Sequence, residues 1–167
     1  MPLILIAAVS SNGIIGDSSI NKMPWYCSAE LKLFKQETMG KPIIMGRVTA
    51  EQVGPLPGRR CILLSRNTSL KLNGFDTMSF EEVLDEYNND TTVEYMVAGG
   101  LSIYNLFMKY ITSSIISYMK FEANGDIYFP TLTRTHEELW ETISLTEHDE
   151  FVVIKQSLEA DVFENKY

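Results

Sequence analysis

Glu30 lies in the stretch MPWYCSAELKLFK, residues 23–35, on a segment patterned as a helix. Leu31 and Phe34 stand three apart and share a helical face, and Glu30 falls four before Phe34, beside that face. A carboxylate in this position has two uses. Following Ser28 as the N-cap, it meets the positive end of the helix dipole from the surface. Turned toward a cleft with Leu31 and Phe34, it loses solvation, its pKa rises, and it carries a proton near neutral pH. The local sequence leaves both readings open.

A second group of residues has the spacing to hold phosphates. MVAGG, residues 96–100, ends an apolar run in Gly99 and Gly100 where a helical stretch begins. IIMGRVT, residues 43–49, repeats the arrangement with Gly46, Arg47 and Thr49. Glycine at such a turn lets a pyrophosphate approach the backbone N–H groups of a helix start. Ser65 and Arg66 close a third apolar run and suit a ribose 2′-phosphate, which favours NADPH over NADH. The GxGxxG fingerprint is absent, so an ordinary Rossmann site is not expected. In PLPGRR, residues 55–60, two prolines and a glycine form a rigid turn. That turn presents Arg59 or Arg60 either to solvent or to a carboxylate ligand.

Composition narrows the partners. Fourteen basic against twenty-two acidic residues give a net charge of −8, which argues against a nucleic-acid surface. An anionic ligand must therefore be held locally, and four of the five arginines (47, 59, 60 and 66) fall within twenty residues. Cys27 and Cys61 are too few for a disulfide framework and read as semi-buried free thiols of a reducing cytoplasm. His136 and His148, the only imidazoles, sit in no metal-ligand pattern, so neither a zinc centre nor a histidine triad is expected. The apolar run Leu3 to Val9 is too short to span a membrane and has no signal-peptide flanks. A cytoplasmic protein is expected.

These residues need elements to position them. Apolar runs at 3–9, 42–46, 61–65 and 94–99 read as strands covered on both faces. Helical stretches at about 28–39, 49–53, 80–87 and 101–110 lie between or after them. The alternation predicts one α/β domain with a largely parallel sheet. Segments 114–121, about 140–146 and 151–158 follow with little helix between them and predict antiparallel strands at the end. The stretch Glu81 to Glu94, with six carboxylates and no basic residue, reads as a solvated helix face and loop.

Eight ordered motifs then carry a resemblance: IAAVSSNGIIG, MPW, SAELKLFK, KPIIMGR-x-T, PLPGR, ILLS, MVAGG-x-x-IY and GDIYFP. From about Leu3 to Glu159 the chain resembles the dihydrofolate reductase family. The resemblance implies a single domain over 1–159 with a polar tail at 160–167. It also implies a mixed, mostly parallel α/β sheet of about eight strands, flanked by four helices and ending in antiparallel strands. The implied reaction is NADPH-dependent reduction of 7,8-dihydrofolate by hydride transfer, with protonation at N5.

By the same resemblance Glu30 is the pocket acid that meets the pterin 2-amino group and N3, supported by Ser117. Trp25 anchors water near it, and Met23 lies on a mobile loop over the nicotinamide. Leu31, Phe34, Val53 and Leu56 enclose the pterin and aminobenzoyl rings, with Ala98 at the pocket wall. Arg59 grips the glutamate α-carboxylate, with Lys35 nearby. Ala8 and Ile15 meet the nicotinamide carboxamide, next to Gly16, and Tyr104 flanks the ring. Gly46, Arg47, Val48, Thr49, Gly99, Gly100, Leu101, Ser102 and Ile103 follow the phosphates. Leu64, Ser65 and Arg66 reach the 2′-phosphate, and a cis bond is implied at Gly99-Gly100. Dihydrofolate and antifolates are the implied ligands of a monomer. Five departures stand out: the loop between Gly16 and Met23 is longer than in short bacterial members, Glu30 replaces the aspartate common in bacteria, Ala50 replaces a frequent tryptophan, Leu101 a third glycine, and Ala98 a bulkier aliphatic. Two other readings compete: a pyrimidine reductase of riboflavin synthesis, against which Trp25, Glu30, Phe34 and PLPGR argue, and a protein keeping the fold for a structural role, against which the intact Glu30, Trp25, Arg59 and Gly99-Gly100 speak.

Overall fold

A computed structural model describes residues 3–20, 22–130 and 140–158. The central run LILIAAV forms β1 (Leu3–Val9), and its alternation feeds two cores at once. Leu3, Leu5, Ala7 and Val9 point to one side, while Ile4 and Ile6 point to the other. Around it lie β3 (Ile43–Met45), β4 (Cys61–Leu64) and β6 (Tyr95–Val97), buried throughout as their unbroken apolar character requires. β5 (Asp76–Met78) and β7 (Ser113–Met119) extend this parallel array. β9 (Trp140–Glu147) and β10 (Phe151–Leu158) close it as an antiparallel pair. The eight-stranded order is β5-β4-β3-β6-β1-β7-β10-β9. β2 (Ile14–Gly16) and β8 (Ile127–Tyr128) form a separate two-stranded ribbon.

Each face carries two helices. Phe34 of α1 (Ser28–Thr38) and Ala50 of α2 (Arg47–Val53) pack with Ile4, Ile6, Ile43 and Met45. Val83 of α3 (Phe80–Asn89) and Ile103, Tyr104 and Phe107 of α4 (Leu101–Phe107) pack with Leu3, Leu5 and Val97. A short 3-10 turn, Met108–Tyr110, extends α4, so the stretch expected as one helix over 101–110 is two. The connections that leave β1 and β6 run over opposite faces, and the crevice this opens at the carboxyl ends of the strands is where α/β sheets receive ligands.

Local chemistry adjusts several expectations. The N-cap of α1 is Cys27 and not Ser28, which is the first helical residue, and no side chain caps this end. α3 by contrast starts on a capping box, Ser79 with Glu82, and runs two residues past the expected 87. The acidic stretch is not wholly solvated. Glu86 accepts hydrogen bonds from Arg60 and Tyr95, and Glu94 pairs with Lys41 at 3.2 Å. Both cysteines are free and buried, more deeply than expected. The predicted tail at 160–167, His136 and Arg134 lie outside the described residues.

Candidate active site

Two strand ends converge at the carboxyl edge of the sheet. The Gly46 N–H donates to the Gly99 carbonyl at 2.8 Å, and the Ala98 N–H donates to the Ile44 carbonyl at 2.9 Å. These bonds set the starts of α2 and α4 side by side. Gly46 is required by the approach: a Cβ there would lie 2.9 Å from Cγ1 of Ile103. The Gly99-Gly100 peptide is cis. Thr49 is half-buried, and Val48 and Ser102 are exposed beside it, flanking half-buried Leu101 and buried Ile103. Arg47 lies open to solvent and pairs with Glu51 at 2.9 Å across one helical turn. Beyond buried Leu64, the Ser65 N–H donates to the Met78 carbonyl and its Oγ accepts from the Asn67 N–H at 3.1 Å. Arg66 follows, exposed and with no acidic partner among the described residues. The edge therefore offers backbone donors at two helix starts, two cations and a hydroxyl. That donor set fits an extended dinucleotide with a 2′-phosphate.

The acid lies on the α1 side of this edge. Glu30 is half-buried in the first turn of α1, and burial pushes its pKa from 4.5 up to about 7. Tyr104, on α4, donates its hydroxyl to the Ile6 carbonyl at 2.8 Å. Burial first, and then the Glu30 carboxylate, holds that phenol above its ordinary range. Ala8 pairs in register with Ser117 of β7, which is 2% exposed. The described residues show no direct hydrogen bond between Glu30 and Ser117. Trp25 meets Phe121 edge-on, with ring centroids 5.8 Å apart.

Ala8, Trp25, Phe34, Leu56 and Ala98 all pack against the core on the α1 face. Ile15 packs against the opposite core, with Gly16 next to it in β2. Leu31 is 50% exposed, and Met23, Lys35 and Val53 are likewise open to solvent. The structure thus brings Glu30, Tyr104, Ala8, Ser117, Phe34 and Ala98 to one region, while Leu31, Lys35, Val53 and Met23 stand at its open rim.

The choice between the two arginines of PLPGRR is decided by their neighbours. Arg60 is bound by Asp76 and Glu86, tying β4 to β5 and α3, and its pKa is raised by those hydrogen bonds. Arg59 has no acidic partner among the described residues. Its Nε donates to the Pro57 carbonyl at 3.0 Å and its Nη1 to Thr38 Oγ1 at 3.1 Å. Only Arg59 keeps its charge available.

Three contacts near the site have no signature in local sequence. The Cys27 thiol donates to Glu150 at 2.9 Å, joining the start of α1 to the β9–β10 turn, and burial together with that bond raises the thiol pKa. The Ser18 N–H donates to Asp126 Oδ1 at 2.8 Å and its hydroxyl to Oδ2, clipping the loop after β2 to the segment before β8. Phe121 backs Trp25 from ninety-six positions away. Each pairs residues distant along the chain; of the partners Glu150, Asp126 and Phe121, only Asp126 falls in a motif, GDIYFP.

The chain as a whole is similar to known proteins. The sequence model of the family described as "Dihydrofolate reductase" matches residues 2–162. A dihydrofolate reductase of Buchnera aphidicola subsp. Schizaphis graminum is 36% identical over 150 residues, 89% of this chain and 89% of its own. One from Neisseria gonorrhoeae is 36% identical over 149 residues, covering 88% of each chain. Among solved structures, dihydrofolate reductase from Enterococcus faecalis, complexed with NADP(H) and RAB-propyl, superposes with a TM-score of 0.80 at 25% identity. That superposition covers 96% of this chain and 97% of the other. The chain belongs to the dihydrofolate reductase family.

Proposed function

We propose that the chain reduces 7,8-dihydrofolate to tetrahydrofolate with NADPH, using Glu30 as the acid that serves the pterin. What supports this is a half-buried carboxyl in the first turn of α1, pushed by burial up to a pKa of about 7, on the same face of the sheet as Phe34, Ala8 and Ala98. A group so poised gives up and regains a proton at working pH, as protonation at N5 requires. NADPH supplies the hydride when bound. The chain's own residues do the rest. Glu30 orients the pterin through its 2-amino group and N3, with Ser117 behind it and Trp25 holding water nearby. Phe34, Leu31, Val53 and Leu56 exclude solvent from the rings, and Ala8 and Ala98 shape the pocket wall. Arg59, with Lys35 near, takes the glutamate α-carboxylate.

On the cofactor side, Ile15, Gly16 and Tyr104 border the nicotinamide, with Met23 on the loop above. The pyrophosphate follows Gly46, Arg47, Val48 and Thr49 on one helix start, and Gly99, Gly100, Leu101, Ser102 and Ile103 on the other. Leu64, Ser65 and Arg66 face the 2′-phosphate. Pterin-like antifolates bind the same acid. The domain spans 1–159 and acts as a monomer in the cytoplasm, in keeping with two free buried thiols. No helix among the described residues is long and apolar enough to cross a membrane. The test follows NADPH absorbance after dihydrofolate is added. Oxidation that depends on dihydrofolate and is blocked by methotrexate is expected; oxidation that ignores either compound overturns the reading.

A further inference from the structure

The last turn of α1 carries a threonine that none of the functional assignments above uses. Thr38 is fully buried, 0% exposed, on a helix whose other polar residues reach the surface or the rim of the site. Its hydroxyl donates to the Phe34 carbonyl one turn back at 2.7 Å and accepts from Arg59 Nη1 at 3.1 Å. A hydroxyl has one proton, and here that proton is spent on the helix, so only lone pairs remain to face the guanidinium. The β-branched side chain has few rotamers in a helix, which fixes where those lone pairs point. The turn bearing Arg59 is docked on the same helix end. The Gly40 N–H donates to the Gly58 carbonyl at 3.1 Å. Gly58 has φ +75°, and a Cβ there would lie 2.6 Å from the Met39 sulfur.

We propose that Thr38 is a positioning residue that sets the specificity of this chain for substrates bearing a glutamate α-carboxylate, acting through Arg59. The inference rests on the reading of Arg59 given above. Arg59 has two anchors, the Pro57 carbonyl on Nε and Thr38 on Nη1, and both are neutral. Neutrality is the point. Arg60, one residue on, is oriented by Asp76 and Glu86, and those carboxylates also cancel its charge. A hydroxyl orients Arg59 equally well and leaves the full charge, with the remaining N–H donors of the fork, for a carboxylate arriving from outside. The same helix carries Glu30 at its first turn and Thr38 at its last, eight residues or about 12 Å of axial rise apart. One rigid rod therefore holds the acid for the pterin and aims the cation for the glutamate.

The test compares two substrates, dihydrofolate and its analogue with the glutamate α-carboxylate converted to the carboxamide. The unmutated enzyme is expected to have the lower KM for dihydrofolate. Thr38→Val keeps the shape and removes the hydroxyl; it should raise KM for dihydrofolate roughly tenfold, the size of one hydrogen bond, and leave kcat within twofold. KM for the carboxamide should not move, and Thr38→Ser should restore dihydrofolate binding. Thr38→Ala makes the same comparison should the valine variant not fold. Discrimination that persists in Thr38→Val, or a KM rise equal for both substrates, overturns the relay while leaving Arg59 in place. An unmutated enzyme that does not distinguish the two substrates overturns the Arg59 reading, and the relay with it.

Discussion

Glu30 takes its protonation behaviour from where α1 lies, since burial alone and no charged neighbour accounts for its raised pKa. The folded value of about 7 exceeds the ordinary 4.5, so folding takes up a proton between those limits. Stability contributed by the protonated carboxyl is therefore present at low pH and is lost as pH rises through 7. Activity should follow the same group. Single-turnover hydride transfer is expected to fall as pH rises above about 7, by roughly tenfold per unit, and Glu30→Gln should flatten this profile. The variant should also cut turnover at neutral pH by orders of magnitude while NADPH binding is kept; near-normal rates refute the proton role. The two neighbouring arginines make a paired prediction. Arg59→Ala should raise KM for dihydrofolate by some thirtyfold, about 2 kcal/mol, because a charge-assisted contact is lost. Arg60→Ala should instead lower the denaturation midpoint, because it separates β4 from Asp76 and Glu86. If Arg60→Ala is the one that changes KM, the assignment of the two is reversed.

Elements explain why one part of the site was legible in the sequence and another was not. β1 and β10 were readable to the residue, because long apolar runs flanked by polar residues have only one sensible span. β2, β5 and β8 carry no such signal: each is two or three residues long and, unlike the equally short β3 and β6, is not buried throughout. Glycine turns were legible as two separate signals, each weak alone. Their strength is in the Gly46 to Gly99 hydrogen bond, a contact between distant positions that no local pattern contains. Thr38 carries no local signal for the same reason, since its partner Arg59 lies twenty-one residues away. The junction of α2 and α4 makes its own prediction. Gly46→Ala would drive a methyl to 2.9 Å from Ile103 Cγ1, and overpacking of this kind costs about 1–3 kcal/mol. Because the two helix starts are forced apart, the Kd for NADPH should rise about tenfold, with dihydrofolate binding less affected. Calorimetric titration checks this, and an unchanged Kd removes the junction from the cofactor site.

The whole molecule is two cores separated by one sheet, and the ligand edge is where both cores end. α1 and α2 belong to one core, α4 to the other, and a dinucleotide lying along the starts of α2 and α4 would touch elements from both. Its binding energy is then added to the folded state of the entire domain, since the unfolded chain has no such edge. At a concentration a hundredfold above Kd, NADPH should stabilise the protein by about 2.7 kcal/mol. For a single domain of this size that corresponds to a rise in Tm of about 5–10 °C. The global charge of −8 opposes an anionic ligand, so the gain depends on local cations, and the selectivity falls to Ser65 and Arg66 at the end of β4. NADH, which lacks the 2′-phosphate, should give a much smaller shift at the same concentration, and Arg66→Ala should bring NADPH down toward NADH. Scanning calorimetry with each nucleotide decides the matter. Equal shifts for NADH and NADPH would remove Ser65 and Arg66 from the 2′-phosphate site, and no shift with either would remove the dinucleotide from the edge altogether.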